Sequence, residues 1–228
     1  MLVRNAVALC LISLSSLAGQ DVEYVVAQTH ARHDPGLDVE IVETIHLAHW
    51  ANGTEAETRA RFGRYGEHSA SGVNRTIWDA VAGRRILLSP TTKSKATQPL
   101  TPAALKRRTA KTGLWCTDLA SPEEFVDTQA GAILGYSVVQ RTRSGPEKDG
   151  RSRRVERWLA PELGCLELRR TDTVIQSGAP DVVVESIETL SVEPGTPEGR
   201  WADRGVPVGY TERTVAEITA LEARAAGR

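Results

Sequence analysis

Short runs in which apolar and polar residues alternate, separated by glycine-bearing dipeptides, recur along most of this chain and direct it toward antiparallel β structure. In VEIVETIHLAHW, Val39, Ile41, Ile45, Leu47 and His49 share one parity while Glu40, Thr44 and His46 share the other. Side chains alternate between the two faces of a strand, so such a run has one apolar face and one wet face. Ile86 and Leu88 fall together in RRILLSP, Leu134, Tyr136 and Val138 in AILGYSVVQRTR, and Val182, Val184, Leu190 and Val192 in DVVVESIETLSV. Strands of a parallel sheet, covered on both faces, would read as continuous apolar runs instead. Asn52-Gly53, Ala82-Gly83, Asp149-Gly150 and Ser177-Gly178 lie between these runs. They read as four hairpin turns, because glycine tolerates the positive φ that the tight connections need.

Three stretches have helical spacing. Asp21 to about His30 puts Val22, Val25, Val26 and Thr29 at i, i+3, i+4 and i+7. Thr101-Pro102 offers a capping threonine and a first-turn proline for a helix that Gly113 would end. Val215, Ile218 and Leu221 mark a short C-terminal helix or tail over residues 214–228. The fold class expected is therefore α+β.

The first nineteen residues run from Arg4 through an apolar stretch to Ser16-Leu17-Ala18, the order of a secretory signal peptide. The apolar stretch is shorter than the roughly 20 residues a membrane-spanning helix needs. The expectation is an exported protein, periplasmic or secreted and not membrane-spanning, with one domain over residues 20–213. Lysine and arginine total 28 against 29 aspartates and glutamates, and aromatics make up 5% of the chain. Neither the charge balance nor the scarcity of stacking side chains suits a nucleic-acid binder. Charge is uneven locally: no acidic residue lies between Ala80 and Thr117, while Arg84, Arg85, Lys93, Lys95, Lys106, Arg107, Arg108 and Lys111 do. This basic segment, 84–111, reads as a solvated face or as a patch for an anionic partner.

Cys10 leaves with the signal peptide, so Cys116 and Cys165 remain. In an oxidising compartment such a pair reads first as a disulfide, with two buried thiols or a catalytic cysteine as the alternatives. Cys165 follows Pro161 to Gly164, a turn between two alternating runs, which favours a staple over a nucleophile elbow. His46 and His49 point to opposite faces of a strand, and Asp34-Pro35-Gly36 ends any helix that would align His30 with His33. The histidines are therefore expected on the surface, without metal. Gly135-Tyr136-Ser137-Val138-Val139 lacks the closing glycine of a serine nucleophile elbow, and the carboxylates form no acid/base pair. No enzyme activity and no cofactor are expected.

Three short stretches carry a family resemblance. Trp158-Leu159-Ala160-Pro161-Glu162-Leu163-Gly164-Cys165, Val192-Glu193-Pro194-Gly195-Thr196-Pro197 and Val206-Pro207-Val208-Gly209-Tyr210 resemble segments of the LolA/LolB-like lipoprotein carriers and their secreted bacterial relatives, over about residues 35 to 213. The resemblance implies a curled antiparallel sheet, an incomplete β-barrel, with a few helices covering or plugging its concave face. It also implies an apolar cavity that receives acyl chains. Residues expected to line it are Ile41, Ile45, Leu47, Ile86, Leu88, Leu134, Tyr136, Leu166 and Leu168. The function expected is a non-enzymatic binding module for a lipid-like or other hydrophobic ligand. The alternative is an envelope structural or interaction protein with a filled core, acting through the basic segment.

Overall fold

The computed structural model describes residues 22–34, 39–65, 68–104, 126–146, 151–176, 178–198 and 204–225. The signal segment, Cys116, most of the helix expected after Pro102 and the Asp149-Gly150 turn lie outside them.

Twelve strands form one sheet: β1 (Tyr24–Asp34), β2 (Val39–His49), β3 (Glu55–Tyr65), β4 (His68–Asp79), β5 (Arg84–Ser89), β6 (Ser94–Pro99), β7 (Val126–Ile133), β8 (Tyr136–Pro146), β9 (Ser152–Ala160), β10 (Leu166–Ile175), β11 (Val182–Pro194) and β12 (Thr211–Glu212). Their spatial order is β12-β6-β5-β4-β3-β2-β1-β11-β10-β9-β8-β7. Two meanders, β1 to β6 and β7 to β11, thus join where β1 pairs antiparallel with β11. Among the described strands only β12 runs parallel to its neighbour, β6, with Thr211 N donating to Lys93 O just before β6 and Arg213 N to Lys95 O. The sheet is mixed and, among the described residues, open at both edges.

The fold class is thus mostly β, which corrects the α+β expectation. No helix covers or plugs a concave face among the described residues. The helix expected from Asp21 to His30 is instead strand β1, with β2 on one side and β11 on the other. The same residues satisfy both periods, since Tyr24, Val26, Gln28 and His30 alternate as well as Val22, Val25, Val26 and Thr29 recur helically. Pairing on both sides meets nearly every backbone donor and acceptor of β1, and tertiary context of that kind overrides a weak local preference. At the second expected helix, residues 102–104 are helical and Thr101 Oγ1 accepts the Ala104 N–H at 3.1 Å. The chain is also helical at α1 (Val215–Ala225), which lies against β6 and buries Ile218.

Turn chemistry follows the glycines where they are described. Gly53 (φ 78°) lies between β2 and β3, and Gly83 (φ 62°) between β4 and β5. Leu134, expected inside a strand, instead forms the two-residue β7–β8 turn with Gly135, at φ 52° and 85°. Positive φ at both central positions is the primed turn that matches strand twist, and alternation alone did not reveal it. Between β9 and β10, Pro161–Leu163 makes one 3-10 turn, and Gly164 and Cys165 both take positive φ.

Register is unbroken from β1 through β6, whereas irregularities interrupt β1–β11, β10–β11, β9–β10 and β7–β8. Bulges increase local twist, so the added local twist falls at the β1–β11 seam and in the second half of the sheet. In the regular half, Val25, Ala48, Ala56, Ile77 and Ile86 stand opposite one another in sequence across five strands. With Trp50 and Leu88 they form one core cluster, closed by Val206 and Tyr210. This face is called the back. A second cluster, Tyr24, Val26, Val138, Ala160, Leu163 and Leu168, joins the start of β1 to β8, β9 and β10. Burial of a side chain such as Ile77 or Leu168 stabilises the fold by about 1.5–3 kcal/mol.

Candidate ligand-binding face and its ionic strip

The ladder register divides the residues expected to line one cavity. Ile41, Ile45 and Leu47 lie on the front of β2, the face shared with Val26, Gln28, His30 and Arg32 of β1. Ile86 and Leu88 lie on the back and are packed into its core, 6% and 1% exposed. Alternation within a strand sets which residues share a face, but register decides which face a neighbouring strand contributes. Leu134 is 49% exposed at its turn. Leu168 is fully buried in the second cluster, with Leu47, Tyr136 and Leu166 packed half-buried at its rim beside Trp158 and Val192. The structure therefore brings together Leu47, Tyr136, Leu166 and Leu168, places Ile41 and Ile45 along the strand leading to them, and separates Ile86, Leu88 and Leu134.

The front of β1, β2 and β11 carries a strip of charge that the sequence reading missed. His30, expected on the surface, is 4% exposed and lies directly across the ladder from Glu43. Its Nδ1 is 3.0 Å from Glu43 Oε2, and its Nε2 is 2.8 Å from Glu185 Oε1. Arg59 Nη1 and Arg61 Nε donate to the two Glu43 oxygens at 2.7 and 2.6 Å. Farther across the sheet, Arg170 Nη2 lies 3.4 Å from Asp172 and 3.6 Å from Glu185. Arg153 grips the fully buried Asp172 carboxylate through Nε and Nη2, both at 2.6 Å. Burial alone would raise the Glu43 carboxyl, but the hydrogen bond from Arg61 and the charges of Arg59 and Arg61 reverse this and hold it below the ordinary carboxylate range.

The rows are layered. The carboxylates lie low, with Glu43 1%, Asp172 0% and Glu185 17% exposed, while Arg32 and Arg61 are 49% and 48% exposed above them. Glu43 sits at a position of its strand's apolar parity, between Ile41 and Ile45, whereas Glu185 falls on the parity opposite Val182, Val184, Leu190 and Val192 and reaches the front through its register with Arg32. A charge within an otherwise apolar face was the available signal, since a buried charge needs a partner.

His49 is likewise buried. Its Nδ1 is 3.2 Å from Glu55 Oε1 and its ring stacks on Tyr24 at 5.1 Å. Burial pushes the Tyr24 hydroxyl well above its ordinary pKa. Among the described residues, no group of three His, Cys, Asp or Glu is arranged to hold a metal ion. Cys165 is buried at 8% beside Leu159; its expected partner, Cys116, lies outside the described residues. Of the basic segment, Arg85 sits 5.9 Å over the Trp78 ring and Lys95 pairs with Glu212 at 3.4 Å, and residues 105–111 are not described.

The motifs behind the family resemblance have structural work here. Val206 and Tyr210 close the back core, and Arg204 lies 4.1 Å over the ring of Trp50. No family model matches the chain, and no curated protein matches it. Among solved structures, the complex of MucA and MucB from Pseudomonas aeruginosa is similar, with a TM-score of 0.41 and 12% identity over 82% of this chain and 57% of that one. This chain spans little more than half the length of that neighbour, and a likeness of this size carries no argument about ligand, partner or compartment. Among the described residues no helix is long and apolar enough to cross a membrane.

Proposed function

We propose that this protein is an exported, non-enzymatic binding module that holds a lipid-like chain against the front of its sheet. The supporting observation is the apolar lane on β2. Ile45, 6% exposed, and Leu47 share the front face and lead to the half-buried rim of the second cluster, where Tyr136, Trp158, Leu166 and Val192 leave apolar surface partly open, while Glu43 and its partners lie between them and Ile41. Each methylene a ligand buries there contributes about 0.8 kcal/mol, so chains of eight or more carbons offset the cost of association. The ion pairs centred on Glu43 within this row present fixed charges and, among the described residues, no activated nucleophile, which suits binding rather than turnover.

The test is titration of the purified protein with an uncharged acyl-chain fluorophore. Saturable binding is expected, weakened at least ten-fold by Leu47→Glu and unchanged by Val81→Glu, an exposed control site on the β4–β5 turn. Folding of both variants is checked by circular dichroism. Absence of binding by folded wild-type protein would overturn the reading and leave interaction through the basic segment 84–111 as the better one.

A further inference from the structure

We infer that the ligand bound on this face bears an anionic headgroup, received by Arg32 and Arg61 across the Ile41–Glu43 part of the β2 front. This rests on the binding reading above and deepens it.

Arg32 uses Nε toward His30 and Glu185, at 3.3 and 3.7 Å, and Arg61 uses Nε toward Glu43. The terminal nitrogens of both guanidiniums make no hydrogen bond among the described residues, and both side chains are about half exposed. A guanidinium held by one edge keeps its other donors for a second oxyanion, in the planar fork that suits carboxylate or phosphate. Glu43 fixes Arg61 through a 2.6 Å hydrogen bond, and His30 and Glu185 hold Arg32 more loosely, so less rotamer entropy is lost when an anion arrives.

Placement supports the same conclusion. Arg32 stands opposite Ile41, which stands opposite Gly63, while Arg61 stands opposite Gly72 on the far side. Arg61 itself stands opposite Glu43, two residues along β3 from Gly63, so the two arginines lie diagonally across the Ile41–Glu43 part of β2 from strands two apart, a span of about 12 Å. Open space surrounds Gly72: a Cβ built there meets nothing within 4 Å. Six residues along β1 from Arg32, about 20 Å away, Val26 stands opposite Leu47 at the apolar rim. One end of the β2 front offers cationic forks and the other apolar surface, the polarity of an acid-headed amphiphile. Glu40 and its partner Arg64 belong to the opposite parity and do not oppose an anion on the front.

The experiment compares displacement of the uncharged fluorophore by three chains of equal length, a fatty acid, an alkyl phosphate and a fatty alcohol, and adds inorganic phosphate alone. The two anionic chains are expected to bind about ten-fold more tightly than the alcohol, a difference that shrinks in high salt. Arg32→Gln with Arg61→Gln should remove that preference while leaving alcohol affinity unchanged; because Arg61 also partners the buried Glu43, the double variant is compared below its own melting temperature with its fold checked by circular dichroism. Equal affinity for all three chains would overturn the headgroup inference and leave the binding reading intact. If no chain binds but inorganic phosphate binds in an Arg32- and Arg61-dependent way, a free-anion site is upheld and the apolar reading fails. Anion preference that survives the double substitution would overturn the assignment to these arginines.

Discussion

Glu43 shows how one residue in a strand can set the character of a face. By parity it belongs to the apolar row of β2, yet it gathers His30, Arg59 and Arg61 around a carboxylate 1% exposed. Removing one partner of such a pair leaves the others uncompensated, although half-exposed arginines regain water. Glu43→Ala is therefore expected to cost about 2–4 kcal/mol, read as a lower midpoint in urea unfolding. The pH dependence follows from the depressed Glu43 pKa. Its contribution is fully present above the ordinary glutamate value near 4.5 and is lost as pH falls through the lower folded value. Melting curves from pH 6 to 3 should show a fall below about pH 4.5 that is shallower in Glu43→Gln. Cys165 makes the second residue-scale prediction. Under the proposed export to an oxidising compartment, Cys116 and Cys165 should be bridged, and intact mass after alkylation without reduction should show neither thiol modified; two alkylated thiols would rule it out.

At the scale of elements, the ends are determined by local chemistry that can be tested separately. Thr214 and Glu217 form a reciprocal cap on α1: Thr214 Oγ1 accepts the Glu217 N–H at 3.2 Å, and Glu217 Oε2 accepts the Thr214 N–H at 2.7 Å. The bonds from Thr214 also hold the exposed Glu217 carboxyl below its ordinary pKa. Thr214→Ala should cost about 0.5–2 kcal/mol if α1 unfolds with the sheet, measured by thermal unfolding. The β7–β8 turn works in the opposite sense. Leu134 occupies a left-handed conformation that costs a branched side chain about 1 kcal/mol, so Leu134→Asn, creating Asn-Gly, should raise stability by a similar amount. The same substitution should leave chain binding unchanged, because Leu134 lies at the turn rather than on the lane.

For the molecule as a whole, β1 is the seam. It pairs with β2 over eleven residues and with β11 over nine, so both meanders depend on it. Ala31→Pro should remove a ladder hydrogen bond in the middle of the sheet and destabilise both halves together by about 3 kcal/mol or more. Loss of near-ultraviolet dichroism from Trp50 and Trp158 in a single transition would register the effect, since the two rings belong to different clusters. Independent transitions would show that the seam does not couple the halves. The folded wild type should give a far-ultraviolet spectrum dominated by β structure.

How much was legible beforehand divides along a physical line. Alternation and glycine turns are properties of residues one or two apart, so antiparallel strands, the Asn52-Gly53 and Ala82-Gly83 connections and the turn before Cys165 were readable from order alone. Whether Tyr24 to His30 would be helix or strand was not, because both periods fit and only pairing with β2 and β11 decides. Nor was the division of Ile86 and Leu88 from Ile41, Ile45 and Leu47, since a strand's parity says nothing about the register of its neighbours. The ionic strip lay deepest: Glu43 and Glu185 meet at His30 from strands more than a hundred residues apart in the chain. Charges that are expensive to bury alone become tolerable only when the fold brings their partners to them, and no local pattern records that meeting.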